Sequence, residues 1–514
     1  MSARLQDISG WIAFRANWAP ESSAIRFEGN TMSYAVLEER IGKLAGALSD
    51  VFGVSEGDRV AHMGFNAPEM IELLFACARI GAVFVPLNWR LSMAEHQWLL
   101  GNCTPRLLLV EPAYFDQAAQ LAVKRSDMRL ATYAGDDERW PFYEHLLDAA
   151  AYRPPSWRSD LKAPAAIVYT SGTTGRPKGA VLSQEALFFS ALNGQSVYEI
   201  TSADHVLTVI PMFHVGGMNI HTLPALQAGA VTTIQPRFDP AATLKAIVED
   251  KPTLLTLVPA AALALFALPE FADADLSGLR CVATGSSVVP DSVLAPLRSR
   301  GLSVNQVYGL TESGPTAVAS SVADGFGDGV SAGKPVIHCD AKVVADDTGA
   351  LAAPGAVGEI WLRGPNLLTE YWQNPEATAD AFADDDWFKT GDLGFVDEDG
   401  FFHINDRKKD LIISGGENVY PAELERVLAA CEVLAEYTVV GAPDPKWGET
   451  PVCVVVLKEG VCMSEAELLA LFDGVLARYK HPGRVVFTSG PLPRTSLGKV
   501  QKFDVRDALL AGSL

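Results

Sequence analysis

Strand-like and helix-like segments alternate along the chain and predict an α/β protein: a large N-terminal domain of stacked α/β subdomains with mostly parallel sheets, then a small α+β C-terminal domain. Three observations carry this. Short, wholly apolar runs such as Leu107–Val110 suit strands buried on both faces of a parallel sheet. Segments with apolar residues three and four apart lie between them and suit helices. From about Gly391 the character changes, with glycines and acidic residues separating short strands.

Taken in order, Ser33 precedes Leu37, Ile41, Leu44 and Leu48, the apolar face of an amphipathic helix with Ser33 as its N-cap. Glu69 to Ile80 reads as a more buried helix, followed by a strand Ala82–Val85 that Pro86 ends. Pro154 to Pro164 is polar and reads as a surface connection. Val206–Ile210 and Leu244–Glu249 continue the strand–helix alternation. Asp397-Glu398-Asp399-Gly400 makes a tight hairpin, and the charged stretch Asp406–Asp410 marks the domain boundary. The expected division is residues 1–405, 406–410 and 411–514.

A chain of 514 residues is too long for one core. Its composition, 48% hydrophobic and 20% charged, is that of a globular protein. The formal net charge of −21 excludes a nucleic-acid partner by repulsion of the phosphodiester backbone. It leaves a nucleotide site open, since backbone N–H groups and single cations hold phosphates. Seven cysteines lie far apart with no Cys-x-x-Cys pair, so buried thiols are expected rather than a disulfide framework or zinc site. The N-terminus lacks a basic segment followed by an apolar run, and no stretch of about 20 apolar residues offers a membrane span. The C-terminal Gly512-Ser513-Leu514 is not a peroxisomal signal. A cytoplasmic protein is expected.

The densest local signal is Tyr169-Thr170-Ser171-Gly172-Thr173-Thr174-Gly175-Arg176-Pro177-Lys178-Gly179, after the strand-like Ala166-Ile167-Val168. Its glycines let the backbone approach a ligand, its hydroxyls and N–H groups can donate to phosphate oxygens, and Lys178 and Arg176 add positive charge. It is not a Walker A loop, because Pro177 precedes the lysine and Gly179 follows it.

With this string the sequence resembles the adenylate-forming superfamily, which includes acyl-CoA synthetases, peptide-synthetase adenylation domains and luciferases. Five further segments stand in that family's order: Pro211-Met212-Phe213-His214-Val215-Gly216-Gly217, Thr284-Gly285-Ser286-Ser287, Tyr308-Gly309-Leu310-Thr311-Glu312, Thr390-Gly391-Asp392 and Pro493-Arg494-Thr495-Ser496-Leu497-Gly498-Lys499. The resemblance covers essentially the whole chain. Ser286 and Ser287 depart from the Gly-Gly-Ala or Gly-Gly-Glu of many relatives.

The resemblance implies an AMP-forming acid–CoA ligase: a carboxylate and ATP give an acyl-adenylate and pyrophosphate, and coenzyme A then gives acyl-CoA and AMP. It implies Lys499 as the adenylation catalyst, with His214 and Glu312 beside the reacting groups. ATP is implied to lie on Thr170, Ser171, Gly172, Thr173, Thr174, Gly175, Lys178, Gly285, Ser286, Ser287, Tyr308, Gly309, Thr311, Asp392, Ile404 and Arg407. Thr170 and Glu312 are implied to hold Mg²⁺, a hard ion suited to protein oxygens shared with substrate phosphates. Asp392 would accept the ribose hydroxyls. The acyl pocket is implied at His214, Val215, Gly216, Gly217 and Met218, and the CoA tunnel at Gly415, Gly416, Glu417 and Trp447. The small C-terminal domain is implied to be mobile, turning about a hinge at Lys409 between the two steps.

The segment after Phe213 carries no acid, unlike amino-acid-activating relatives, and so argues against amino acids. The expected substrate is a medium- or long-chain fatty acid. The alternatives are an aryl-acrylic (feruloyl-like) or other aromatic acid, and a carrier protein in place of coenzyme A as acceptor. A catalytically silent ATP-binding regulator and a luciferase-like oxygenase are the rival classes; the former would lack Lys499, Glu312 or Asp392, and all three are present. The expected partners are the carboxylic acid, ATP and CoA, with a homodimer left open.

Overall fold

The computed structural model describes residues 5–133, 139–155, 157–158, 161–170, 177–285, 291–321, 331–345, 349–407, 412–419, 421–431, 433–493, 500 and 502–513. The chain forms two compact units: Met1–Trp89 with Leu100–Tyr169 and Gly179–Asn405, and Arg90–Leu99 with Thr170–Lys178 and Asp406–Leu514.

The first unit contains two large sheets. The seven-stranded sheet runs in the order Glu370–Tyr371, Lys178–Ser183, Pro164–Thr170, Val83–Leu87, Arg59–Met63, Leu107–Val110, Arg129–Thr132. Its last five strands are parallel, while Glu370–Tyr371 is antiparallel to its neighbour. The nine-stranded sheet is parallel from Ser303–Tyr308 through Cys281–Gly285, Leu254–Thr256, His205–Thr208 and Val231–Ile234 to Ser23–Phe27. Antiparallel strands close both of its edges. This is the mostly parallel architecture that the apolar runs predict. Val83–Leu87 shows why: every residue is buried, as a strand covered on both faces requires.

Ser33 caps the helix Tyr34–Asp50 by accepting from the Val36 N–H, and Leu37, Ile41, Leu44 and Leu48 form its buried face. The helix Pro68–Ile80 begins on proline and ends at Gly81, whose φ of 78° suits glycine. Two expectations are adjusted. Pro86 lies inside its strand, opposite His62, because only Phe84 is in register with the neighbour on the other side and the ladder loses little by the missing N–H. The helix expected at Leu244–Glu249 spans Pro240–Asp250, since Asp239 caps it by accepting from the Ala242 N–H.

A third sheet in this unit is antiparallel: Asp340–Val344, Gly358–Arg363, Trp387–Val396 and Phe382–Ala383, with Phe402–Arg407 paired to Trp387–Val396. The acidic hairpin has a local cause. Asp397 Oδ1 accepts from the Asp399 and Phe401 N–H groups at 3.0 and 2.9 Å, and its Oδ2 meets His403 Nε2 at 2.8 Å.

The second unit is built on an antiparallel sheet, Glu417–Val419, Ile412–Ser414, Gly448–Leu457 and Leu434–Asp444, with Arg484–Phe487 parallel to Gly448–Leu457. Residues Arg90–Leu99 join this unit through charge. Lys480, 2% exposed, lies 2.7 Å from both Glu95 Oε1 and Glu423 Oε2, and Arg90 pairs with Glu417 at 2.5 Å. Cys77, Cys103, Cys281, Cys339 and Cys453 are buried. Among the described residues no helix is long and apolar enough to cross a membrane.

Candidate active site

The strand Ser303–Tyr308 ends in a loop that only its own sequence permits. A Cβ on Gly309 would lie 1.6 Å from the Pro315 carbonyl oxygen, so glycine is required there. Leu310 N–H donates to Ser313 Oγ at 2.9 Å and starts a single helical turn, Thr311–Ser313, which ends at Gly314 with φ 81°. Three polar side chains hold this turn from outside. Gly314 O accepts from Asn219 Nδ2 at 2.9 Å and from Ser190 Oγ, and Ser313 O accepts from Asn366 Nδ2 at 2.8 Å.

Glu312 sits in the middle of the turn and is buried. Its carbonyl accepts from the Leu368 N–H at 2.7 Å, and its Oε1 accepts from the Tyr371 hydroxyl at 2.7 Å. No described residue donates to Oε2. One carboxylate oxygen is thus oriented by a hydrogen bond and the other is not. That arrangement fits Mg²⁺, which takes one or two carboxylates and fills its remaining positions with phosphates and water.

Tyr308 and Asp392 come together across the first unit. Thr390 Oγ1 donates to Ile360 O at 2.6 Å and accepts from the Asp392 N–H at 3.0 Å, and Gly391 turns between them with φ 72°. This aims the 2%-exposed Asp392 carboxylate at Tyr308, whose hydroxyl donates to Oδ2 at 2.9 Å. Gly285 ends its strand opposite Val307, and a Cβ there would meet the Val307 carbonyl at 2.4 Å. Ile404 packs half-buried against the main core.

His214 precedes the short helix Val215–Asn219, in extended conformation, and its ring lies 4.5 Å from that of Phe213. The next two glycines differ. A Cβ on Gly217 would strike the Pro211 carbonyl at 2.2 Å, whereas one on Gly216 would meet nothing closer than 3.8 Å. Gly217 is therefore a packing requirement, whereas a methyl on Gly216 would make only ordinary van der Waals contact. A cavity of about 10 Å³ lies among Val168, Leu187, Met212, Phe213, His214, Val215 and Met218, room for one water at most. An aromatic series continues from Phe213 to Trp89 at 6.4 Å and on to Phe65 at 4.9 Å.

In the second unit Thr170 Oγ1 lies 3.4 Å from Lys178 O. In the first, burial raises the phenol pKa of the neighbouring Tyr169 well above its usual value. Gly415 and Gly416 take φ of 60° and 82° in the turn between Ile412–Ser414 and Glu417–Val419. Gly415 packs on Trp447: its N–H donates to Trp447 O at 2.8 Å, and a Cβ would meet the indole at 2.8 Å. The structure thus brings Gly415 and Trp447 together, with Glu417 on Arg90. Ser171, Gly172, Thr173, Thr174, Gly175, Ser286, Ser287, Lys409 and Lys499 lie outside the described residues, as does the Arg407 side chain.

Sequence reasoning missed Tyr371, Asn219, Ser190 and Asn366. None of the four stands in a recognised segment, and nothing local in the sequence marks them.

Comparison with known proteins identifies the family. The family model for AMP-binding enzymes matches residues 13–372, and that for the AMP-binding enzyme C-terminal domain matches residues 423–499. The chain is 44% identical to an indoleacetate–CoA ligase of Aromatoleum aromaticum, over 97% of this chain and 98% of that one. It is 39% identical to a feruloyl-CoA synthase of an Amycolatopsis species, over 98% and 99%. Among solved structures, the o-succinylbenzoate CoA synthetase of Bacillus subtilis, a double mutant bound to a product analogue, matches with a TM-score of 0.86 at 30% identity, over 98% and 99% of the two chains. The chain belongs to the AMP-binding enzyme family of the adenylate-forming superfamily, as an AMP-forming acyl-CoA synthetase.

Proposed function

We propose that the acid is an aromatic one whose flat ring stands one or two carbons from the carboxylate, an arylacetic or aryl-acrylic acid. The observation that carries this is the surface around His214, where the rings of Phe213, Trp89 and Phe65 follow one another. Aromatic rings favour edge-to-face and offset contacts with one another. The two relatives above are named for acids of this shape. A long alkyl chain is the expectation from the apolar His214–Met218 segment alone; the ring series, which that segment does not include, favours the aromatic acid.

The chemistry that this reading asks of the chain is mainly electrostatic. Carboxylate and triphosphate are both anions, so the site must neutralise and position rather than abstract a proton. The acid is already ionised at neutral pH. Glu312, with Thr170 as the resemblance implies, would hold Mg²⁺, which would screen the phosphate charge. The Ser171–Lys178 loop retains the pyrophosphate, with Gly285, Ser286 and Ser287 against the adenine. Asp392, oriented by Tyr308, accepts the ribose hydroxyls beside Ile404 and Arg407, and Thr311 donates to the α-phosphate. Lys499 clamps the incoming carboxylate. The segment after Lys409 then turns, and Gly415, Gly416, Glu417 and Trp447 line the path of the thiol.

The test measures pyrophosphate release and acyl-CoA formation in parallel, over indoleacetic, phenylacetic, cinnamic, benzoic and straight-chain acids. The expected result is a kcat/KM at least tenfold higher for arylacetic or aryl-acrylic acids, with Lys499→Ala abolishing pyrophosphate release. A preference for octanoate or palmitate overturns the substrate assignment. Pyrophosphate without acyl-CoA points to a carrier protein as acceptor.

A further inference from the structure

Asn66 lies three residues past the strand Arg59–Met63 of the seven-stranded sheet and is 3% exposed. Its side chain reaches none of its own sheet's neighbours. Instead its Oδ1 accepts from the Met212 N–H at 2.7 Å, and its Nδ2 donates to Ile210 O at 3.0 Å and Gln235 O at 3.1 Å. Its backbone N–H donates to Pro236 O at 3.1 Å. Ile210 and Met212 follow the strand His205–Thr208, and Gln235 follows Val231–Ile234, both in the nine-stranded sheet. One amide therefore ties together three loops, all at carboxyl ends of parallel strands and drawn from both large sheets. In open α/β sheets that is where ligands bind.

The clamped peptide is the one that leads to His214. Pro211 O accepts from the His214 N–H at 3.3 Å, and His214 O accepts from the Gly217 and Met218 N–H groups at 3.1 and 3.2 Å. Position is thus passed from Asn66 through Met212 to the histidine and the short helix behind it. The residue beside Asn66 acts in the same direction, since the Phe65 ring packs edge-on against Trp89, and Trp89 packs edge-on against Phe213. An asparagine is suited to this task. A carboxylate in its place would face two carbonyl oxygens, and an aliphatic side chain would leave two carbonyls and one N–H buried without partners.

We infer that Asn66 is a positioning residue for acyl transfer: it sets where His214 and Phe213 stand, and so how the acid is held, without touching the substrate. The inference rests on His214 belonging to the acyl site.

The experiment is a double-mutant cycle in the full-length enzyme, with Asn66→Ala, His214→Ala and the pair. It reads kcat and KM for the acid and for ATP, together with the melting temperature. The expected result is a loss of at least tenfold in kcat/KM for the acid with Asn66→Ala, and less than a twofold change in KM for ATP. In the His214→Ala background the same substitution should cost less than threefold, because the group it positions is gone. Asn66→Ser, which removes the amide without setting a charge against the two carbonyls, serves where Asn66→Ala does not fold, with the same expectations. Equal fold-losses in the two backgrounds, or a parallel rise in KM for ATP, overturn the inference and leave Asn66 a packing residue. If His214→Ala itself changes nothing, the assignment of His214 fails instead, and the two failures are distinguishable.

Discussion

Tyr371 donates its hydroxyl to Glu312 Oε1 at 2.7 Å, across 59 residues of sequence, and fixes the carboxylate of the proposed cation ligand. The bond orients one of its two oxygens. Partners of this kind are worth about 10- to 100-fold in metal affinity. Tyr371→Phe keeps the ring and removes only the donor. The Mg²⁺ concentration giving half-maximal pyrophosphate release should rise about tenfold or more. An unchanged Mg²⁺ dependence would show that the turn alone orients Glu312.

Asp392 should discriminate ATP from the acid. Its carboxylate is 2% exposed and oriented by Tyr308 at 2.9 Å, and hydrogen bonds to a charged group contribute roughly 1.5–3 kcal/mol. Asp392→Asn should raise KM for ATP by about an order of magnitude or more and leave KM for the acid within about twofold. Steady-state kinetics with each substrate varied in turn decides this. A shift confined to the acid would remove Asp392 from the nucleotide site.

The paired glycines after Val215 predict opposite outcomes. Gly216→Ala meets nothing closer than 3.8 Å, so the protein should keep its melting temperature and lose activity toward its bulkiest aromatic acids. Gly217→Ala puts a methyl 2.2 Å from the Pro211 carbonyl and should destabilise by about 1–3 kcal/mol, as overpacked sites do. Thermal unfolding and an acid panel, run on both variants, test the contrast. Equal effects would mean that Gly216 does not border the acyl site.

Two buried histidines lower stability in acid. His62 is fully buried, no described residue hydrogen-bonds its ring, and burial pushes its pKa down to about 3 from 6.5. His221 is shifted to the same value, its Nδ1 engaged by Thr256 Oγ1 at 2.8 Å. Between the two values the unfolded chain takes up protons that the folded chain refuses. Stability is therefore full above pH 6.5 and falls as the pH drops below it. His62→Phe should flatten this limb in urea unfolding followed from pH 7 to 4.5. A slope equal to wild type would mean that His62 is protonated in the fold.

Several features were legible because their causes are local. Ser33 caps its helix through an N–H three residues on, Asp397 closes its hairpin on N–H groups two and four residues on, and the runs Val83–Leu87 and Leu107–Val110 are apolar because both faces are covered. The recognised segments likewise named Glu312, Asp392 and His214, since each carries its chemistry within a few residues. The sequence by itself thus determined the α/β class and the family's chemistry, and it named the groups that would perform it. Tertiary structure alone decided how those groups are held. Asn66 bonds to Met212 across 146 residues, Asn219 to Gly314 across 95, and Tyr308 to Asp392 across 84. These contacts join loops at the ends of different strands. They leave no periodicity along the chain, because a buried amide or hydroxyl needs only a partner in space and any sequence separation can supply one.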